Sequence, residues 1–205
     1  MFDFHAHGGK IDCNAFISYS ADEYQRGKRN RYMSLMYLPW LDGYNVRTYI
    51  ETLFSDDNLM AGEIGLDSRF KDKDQSAFYT ILEALEGSKK TVVIHSVRND
   101  EKILNEIRRR NIEKAIFHSF SSSLALAFKI ADAGCYFSIK ENFLSKKNWK
   151  EYLSLPFLLE TDMKTGYEQE EKIAFLYSKI AAESGIDVYS LMEERKKELF
   201  DDQQD

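Results

Sequence analysis

The chain has 205 residues, 43% of them hydrophobic and 14% aromatic, enough apolar material for one packed domain or a small α/β barrel. Its 34 acidic residues outnumber 28 basic ones, and the net charge of −6 argues against a protein held on nucleic acid by a broad basic surface. Two cysteines far apart in sequence, Cys13 and Cys135, rule out a disulfide framework and predict reduced thiols in the cytoplasm.

The chain opens on a predicted strand, Phe2–His5, with no basic or long apolar leader before it. Strands Ala15–Tyr19 and Tyr32–Leu38 follow. The stretch from Gly8 to Arg31 is too short for full helices between these three. Helices and strands then alternate: helix Val46–Phe54, strand Leu59–Ile64, helix Gln75–Leu85, strand Thr91–Ser96, helix Glu101–Arg110, strand Lys114–Ser119. Helix Ser123–Ala133, strand Cys135–Ile139, helix Lys146–Leu153 and strand Phe157–Glu160 continue the pattern. The helices show apolar residues at spacings of three and four, as in Ile103, Leu104 and Ile107. Two more helices close the chain. Tyr167–Ser184 stops at Gly185, and Val188–Phe200 precedes a frayed acidic tail, Asp201 to Asp205. No run is long enough to span a bilayer, so no membrane partner is expected. With two prolines, no Gly/Ser-rich linker and no internal repeat, residues 1–205 read as one domain.

Alternating strands and helices imply a mainly parallel sheet, and eight strands suggest closure. The predicted fold is an α/β (β/α)8 TIM-type barrel with its early helices shortened or missing; an open sheet is the competing architecture.

All four histidines stand where a strand-like run ends: His5, His7, His95 and His118. Glu63 and Asp162 take equivalent places. In such a barrel catalytic groups project from the C-terminal ends of several strands. His5 and His7, two apart, point to one face. Ala61 and Gly65, on the same side as Glu63, are expected to leave room for an ion. Imidazole and carboxylate together are the ligand set of a catalytic divalent metal, or of two. The six residues are therefore candidates for one shared metal site.

The motifs Phe2-Asp3-Phe4-His5-Ala6-His7, Gly62-Glu63-Ile64-Gly65-Leu66-Asp67, Val93-Ile94-His95-Ser96, Phe117-His118-Ser119-Phe120 and Leu158-Leu159-Glu160-Thr161-Asp162 resemble, in order and rough spacing, those of the TatD family. These are metal-dependent deoxyribonucleases and related hydrolases. The resemblance implies that His5, His7 and Asp162 hold one ion and that His95 and His118 hold a second, with Glu63 bridging them or binding the first. It also implies Asp162 as proton acceptor from the attacking water, so Asp162 and Glu63 are the catalytic candidates. One or two ions of zinc, manganese, magnesium, cobalt or nickel suit such a site.

The chain departs from the family where substrate is met. The family's Gly-x-His-Pro-His element, whose first histidine is thought to help hold phosphate, is replaced by Met36-Tyr37-Leu38-Pro39-Trp40. His-Ser-Arg becomes His95-Ser96-Val97-Arg98, Phe-Ser-Gly becomes Phe120-Ser121-Ser122, and the proline after Glu-Thr-Asp is absent. Arg98 is the candidate substrate contact. Taken alone, Arg98 and Lys140 read as solvated charges that could also meet a phosphate. Arg108–Arg110 reads as helix-end charge, and Ser121–Ser123 as a helix cap. Asp67 reads as either a support to the metals or a loop cap; Trp40 and Tyr37 either line the mouth or pack inside.

The expected function is a phosphodiesterase or deoxyribonuclease acting on DNA ends or short oligonucleotides, with no obligate protein partner. The alternatives are a related hydrolase of a small amide, lactone or phosphate-monoester substrate, and a metal-binding relative without turnover.

Overall fold

Buried runs of β-branched and aromatic residues build the sheet. The computed structural model describes residues 1–8, 14–41 and 45–201, so Cys13 and the tail residues Asp202 to Asp205 lie outside the described residues. Its eight strands are β1 (Asp3–His7), β2 (Ala15–Tyr19), β3 (Met33–Tyr37), β4 (Leu59–Asp67), β5 (Val92–Val97), β6 (Ala115–Phe117), β7 (Tyr136–Ile139) and β8 (Phe157–Leu159). They pair in sequence order, each neighbour parallel. The segment after β8 draws the two ends together. Asp162 N donates to His5 O at 3.0 Å, His7 N to Met163 O at 2.8 Å, and Thr165 N to His7 O at 3.1 Å. The result is a nearly closed (β/α)8 barrel, not an open sheet. Strands covered on both faces need apolar residues throughout. Val92, Val93 and Ile94 in β5 and Phe157, Leu158 and Leu159 in β8 are all fully buried.

The helices are α1 (Ala21–Gln25), α2 (Val46–Phe54), α3 (Ser76–Leu85), α4 (Asp100–Arg109), α5 (Leu124–Asp132), α6 (Tyr167–Ser184) and α7 (Val188–Lys196). The early helices are reduced, as expected. Five-residue α1 is held by a capping box in which Ser20 and Glu23 bond each other's backbone N–H. Ser123 accepts from Leu126 N and starts α5. Arg108 and Arg109 close α4, with Arg110 at its C-cap, paired with Asp132 and Glu106.

Two expected helices differ. Lys146–Leu153 is not an α-helix; the crossover from β7 to β8 uses two 3-10 segments, Glu141–Ser145 and Trp149–Ser154. Trp149, Tyr152 and Leu153 are all buried from this short crossover, and a spacing of three suits i→i+3 bonding. The last helix changes to a π-turn, Lys197–Asp201. That turn sits under the barrel. Thr91 Oγ1 donates to Leu199 O at 2.9 Å and Lys114 Nζ to Glu198 O at 2.7 Å. The Phe200 ring meets Phe2, Phe4, Phe16 and Tyr32 with centroids 4.9 to 6.1 Å away. Apolar rings fill the N-terminal end of the strands, which leaves the other end for polar chemistry. Among the described residues no helix is long and apolar enough to cross a membrane.

Candidate metal centre

The six predicted residues converge at the C-terminal mouth of the barrel. His5 and His7 come from β1, Glu63 from β4 and His95 from β5, while His118 and Asp162 follow β6 and β8. Glu63 is inside β4 instead of at its end, because that strand runs on to Asp67. It still reaches the mouth, since the β3–β4 and β4–β5 registers both shift near it.

Glu63 sits at the middle of the cluster. One oxygen, Oε1, is 3.2 Å from His5 Nε2 and 3.4 Å from His7 Nε2. The other, Oε2, is 2.9 Å from His118 Nε2 and 3.2 Å from His95 Nδ1. Asp162 Oδ1 closes the first side, 3.1 Å from His7 Nε2 and 3.8 Å from His5 Nε2. His95 Nδ1 and His118 Nε2 are 3.2 Å apart. A single carboxylate thus faces two groups of nitrogen donors, one on each oxygen.

The charges of the cluster suit a cation. Burial opposes ionisation of Glu63, but the imidazoles of His118 and His5 outweigh it and hold the carboxyl well below its usual range. Burial also opposes charge on Asp162; the hydrogen bond with His7 and the charges of His5 and His118 hold it well below the ordinary value. Conversely, His118 is raised well above its usual value, the carboxylates of Glu63 and Glu160 overcoming burial. Three groups satisfy the distance requirement for a bound ion: His5, Glu63 and His118; His5, His7 and Asp162; and His118, Glu160 and Asp162. Within each, the ligand atoms lie inside 4.8 Å of one another. Nitrogen and oxygen donors of this kind fit a divalent cation.

Several supporting residues escaped the sequence reading. Glu160 is fully buried, and its Oε1 lies 3.6 Å from His118 Nδ1. Ser138 Oγ donates to its other oxygen. A carboxylate behind an imidazole fixes the ring's orientation and makes it a better ligand. The Glu-Thr-Asp motif contains Glu160, but only the fold places it behind His118. Ser18 Oγ lies 3.5 Å from His5 Nδ1 and bonds Ser34 Oγ at 2.8 Å. Buried Asp3 accepts from Thr161 N at 3.0 Å, Thr161 Oγ1 at 2.6 Å and Gln169 Nε2 at 2.6 Å. It clamps the chain that carries Asp162 onto β1, and burial pushes its carboxyl up to about 6. Asp67 does both things expected of it. It caps the turn by accepting from Arg69 N at 2.8 Å, and its Oδ2 is 3.2 Å from His95 Nε2.

The expectation of room for an ion beside Gly65 is overturned. A Cβ there would stand 1.7 Å from His95 O, so the missing side chain admits the neighbouring strand's backbone. Lys140 is not a solvated charge either; its Nζ pairs with Asp162 Oδ2 at 2.8 Å. Tyr37 packs edge-on against Tyr49, whereas Trp40 lies beside the site, its ring centroid 5.4 Å from that of His95.

A cleft of about 530 Å³ opens beside the cluster, lined by His95, His118, Asp162, Arg69, Arg98 and Lys140 among others. Ser119, Ser121 and Ser122 line it too. Arg98, Ser119 and Asp162 all have left-handed backbones, with φ of 57°, 53° and 58°. Such conformations are costly outside glycine and concentrate at functional sites.

A sequence profile described as TatD related DNase matches residues 39–200. The structure resembles that of YJJV, a TatD homolog from Escherichia coli K12, with 17% identity and a TM-score of 0.70 over 90% of this chain and 86% of that one. It also resembles a hydrolase TatD family protein from Entamoeba histolytica, with 12% identity and a TM-score of 0.68 over 91% of this chain and 85% of that one. No curated protein matches the chain.

Proposed function

The chain belongs to the TatD family, and from that premise we propose that it is a metal-dependent phosphodiesterase acting on DNA ends or short oligonucleotides. The observation that carries this is the placement of Glu63 between two groups of histidines, one on each carboxylate oxygen. His5, His7 and Asp162 would hold one ion, His95 and His118 a second, and Glu63 would share both. Bound ions of this type supply an activated water at neutral pH and countercharge for a phosphoryl oxygen.

The protein's own groups do the rest. Asp162 is ionised and stands at the edge of the cleft, where it accepts the proton of the attacking water. Lys140, 2.8 Å from Asp162, keeps that carboxylate aimed and presents a cation to the phosphate. Arg98 is exposed on the cleft wall and meets the flanking phosphate. Glu160 and Ser18 keep the His118 and His5 rings in place. A cytoplasmic location belongs to the same reading.

The test is a chelator-stripped protein reloaded with zinc, manganese, magnesium, cobalt or nickel. Its substrates would be a short single-stranded oligonucleotide, a closed circular duplex, a phosphate monoester and a lactone. Metal-dependent cleavage should fall on the oligonucleotide, and Glu63→Gln should lose most of it together with metal binding while remaining folded. Turnover confined to the monoester or lactone would assign a different hydrolase. Fast nicking of the circle would contradict the reading of a chain of net charge −6 that holds no duplex on a broad basic surface.

A further inference from the structure

We propose that Trp40, Phe70 and Arg69 form a platform on which an unpaired nucleobase stacks beside the metal centre. The inference rests on the phosphodiesterase reading and narrows its substrate to single strands and frayed ends. Trp40 ends the segment Met36-Tyr37-Leu38-Pro39-Trp40, which carries no histidine and no cation. The only polar group of its indole is a neutral N–H donor. The ring offers a flat aromatic surface instead.

The geometry puts that surface to use. The Trp40 and Phe70 rings are stacked, with centroids 5.2 Å apart and planes within 8°. Trp40 also lies against His95, so the stack is anchored to the cluster. Phe70 nevertheless remains 37% exposed. A ring backed so closely on one side and open to water elsewhere is rigid and available. Arg69, the preceding residue, is pinned by Asp67, its Nε 2.9 and 3.0 Å from the two oxygens. Its guanidinium lies 5.9 Å from the Phe70 ring centre and lines the same cleft as His95, His118 and Asp162. A fixed aromatic ring next to a fixed guanidinium is the surface on which bases of any sequence stack. Paired bases inside a duplex have both faces covered and cannot use it.

Two tetranucleotides with phosphorothioate linkages, one of thymidine and one abasic, have equal length and charge. Calorimetry on the metal-reconstituted protein should show about tenfold tighter binding of the thymidine tetramer. Phe70→Leu and Trp40→Leu should each cut that preference to about twofold or less and leave the abasic affinity and metal stoichiometry unchanged. If the rings merely shield His95, the variants will weaken both tetramers alike. Equal binding of the two tetramers by the wild type, or no binding, overturns the proposal, as does a preference that survives in both variants. Cleavage is read separately on ordinary phosphodiester oligomers. Its absence, with the base preference intact, counts against the phosphodiesterase reading while supporting the platform.

Discussion

Replacing Gly65 by alanine tests whether the contact between β4 and β5 sets the metal centre. The added Cβ would fall 1.7 Å from His95 O and 3.0 Å from its Cα, where ordinary contact begins at 3.4 Å. Gly65 and His95 are register partners, so the obstacle is backbone that cannot swing aside. The two strands must part locally by roughly the 1.7 Å difference. Overpacking a tight core costs about 1–3 kcal/mol, and a backbone clash belongs at the upper end, so the expected loss is about 3 kcal/mol. His95 would move with its carbonyl. Its Nδ1 is now 3.2 Å from both Glu63 and His118, and a shift of that size removes it from the donor set. Urea unfolding of the metal-free protein measures the first effect, and metal titration by calorimetry the second. Gly166→Ala is the control, since a Cβ there meets nothing within 4 Å; it should change stability by less than about 0.5 kcal/mol. A Gly65→Ala protein that loses under about 1 kcal/mol and binds metal like the wild type would refute the argument.

Phe200→Ala should cost about 3–5 kcal/mol in urea unfolding, because the ring is buried among four aromatic neighbours at the closed end; a loss below about 1 kcal/mol would show that the C-terminal turn merely rests there. Glu160→Gln should weaken metal binding about 10- to 100-fold with the fold intact, through the orientation of His118, and unaltered affinity would remove Glu160 from the site. Asp3 should titrate near 6 in carbon NMR of the metal-free protein. Because its folded value is raised from 3.8, its contribution to stability is fully present below about 3.8 and is lost as pH rises through about 6. Two units correspond to about 3 kcal/mol; a carboxyl titrating at 4 or below would disprove the burial argument.

Much of this molecule can be read from residue order alone. Strands such as Thr91-Val92-Val93-Ile94 and Leu158-Leu159 announce themselves because both faces of a barrel strand are buried. The period of the helices is equally plain, since each presents one apolar stripe to the sheet. Four histidines and two carboxylates at strand-like ends made the cluster legible, because parallel strands bring all those ends to one mouth. Other features depend on what lies opposite in space. Glu160 differs from any buried acid only by facing His118, 42 positions away in sequence. Gly65 looked like room for an ion, and only the packing of β5 against β4 shows whose backbone fills it. Lys140 looked solvated until the barrel closed and brought it to Asp162. Local pattern carries burial and period, which each residue's neighbours in the chain decide. Partnership across the barrel is decided by register and closure, and those belong to the tertiary structure.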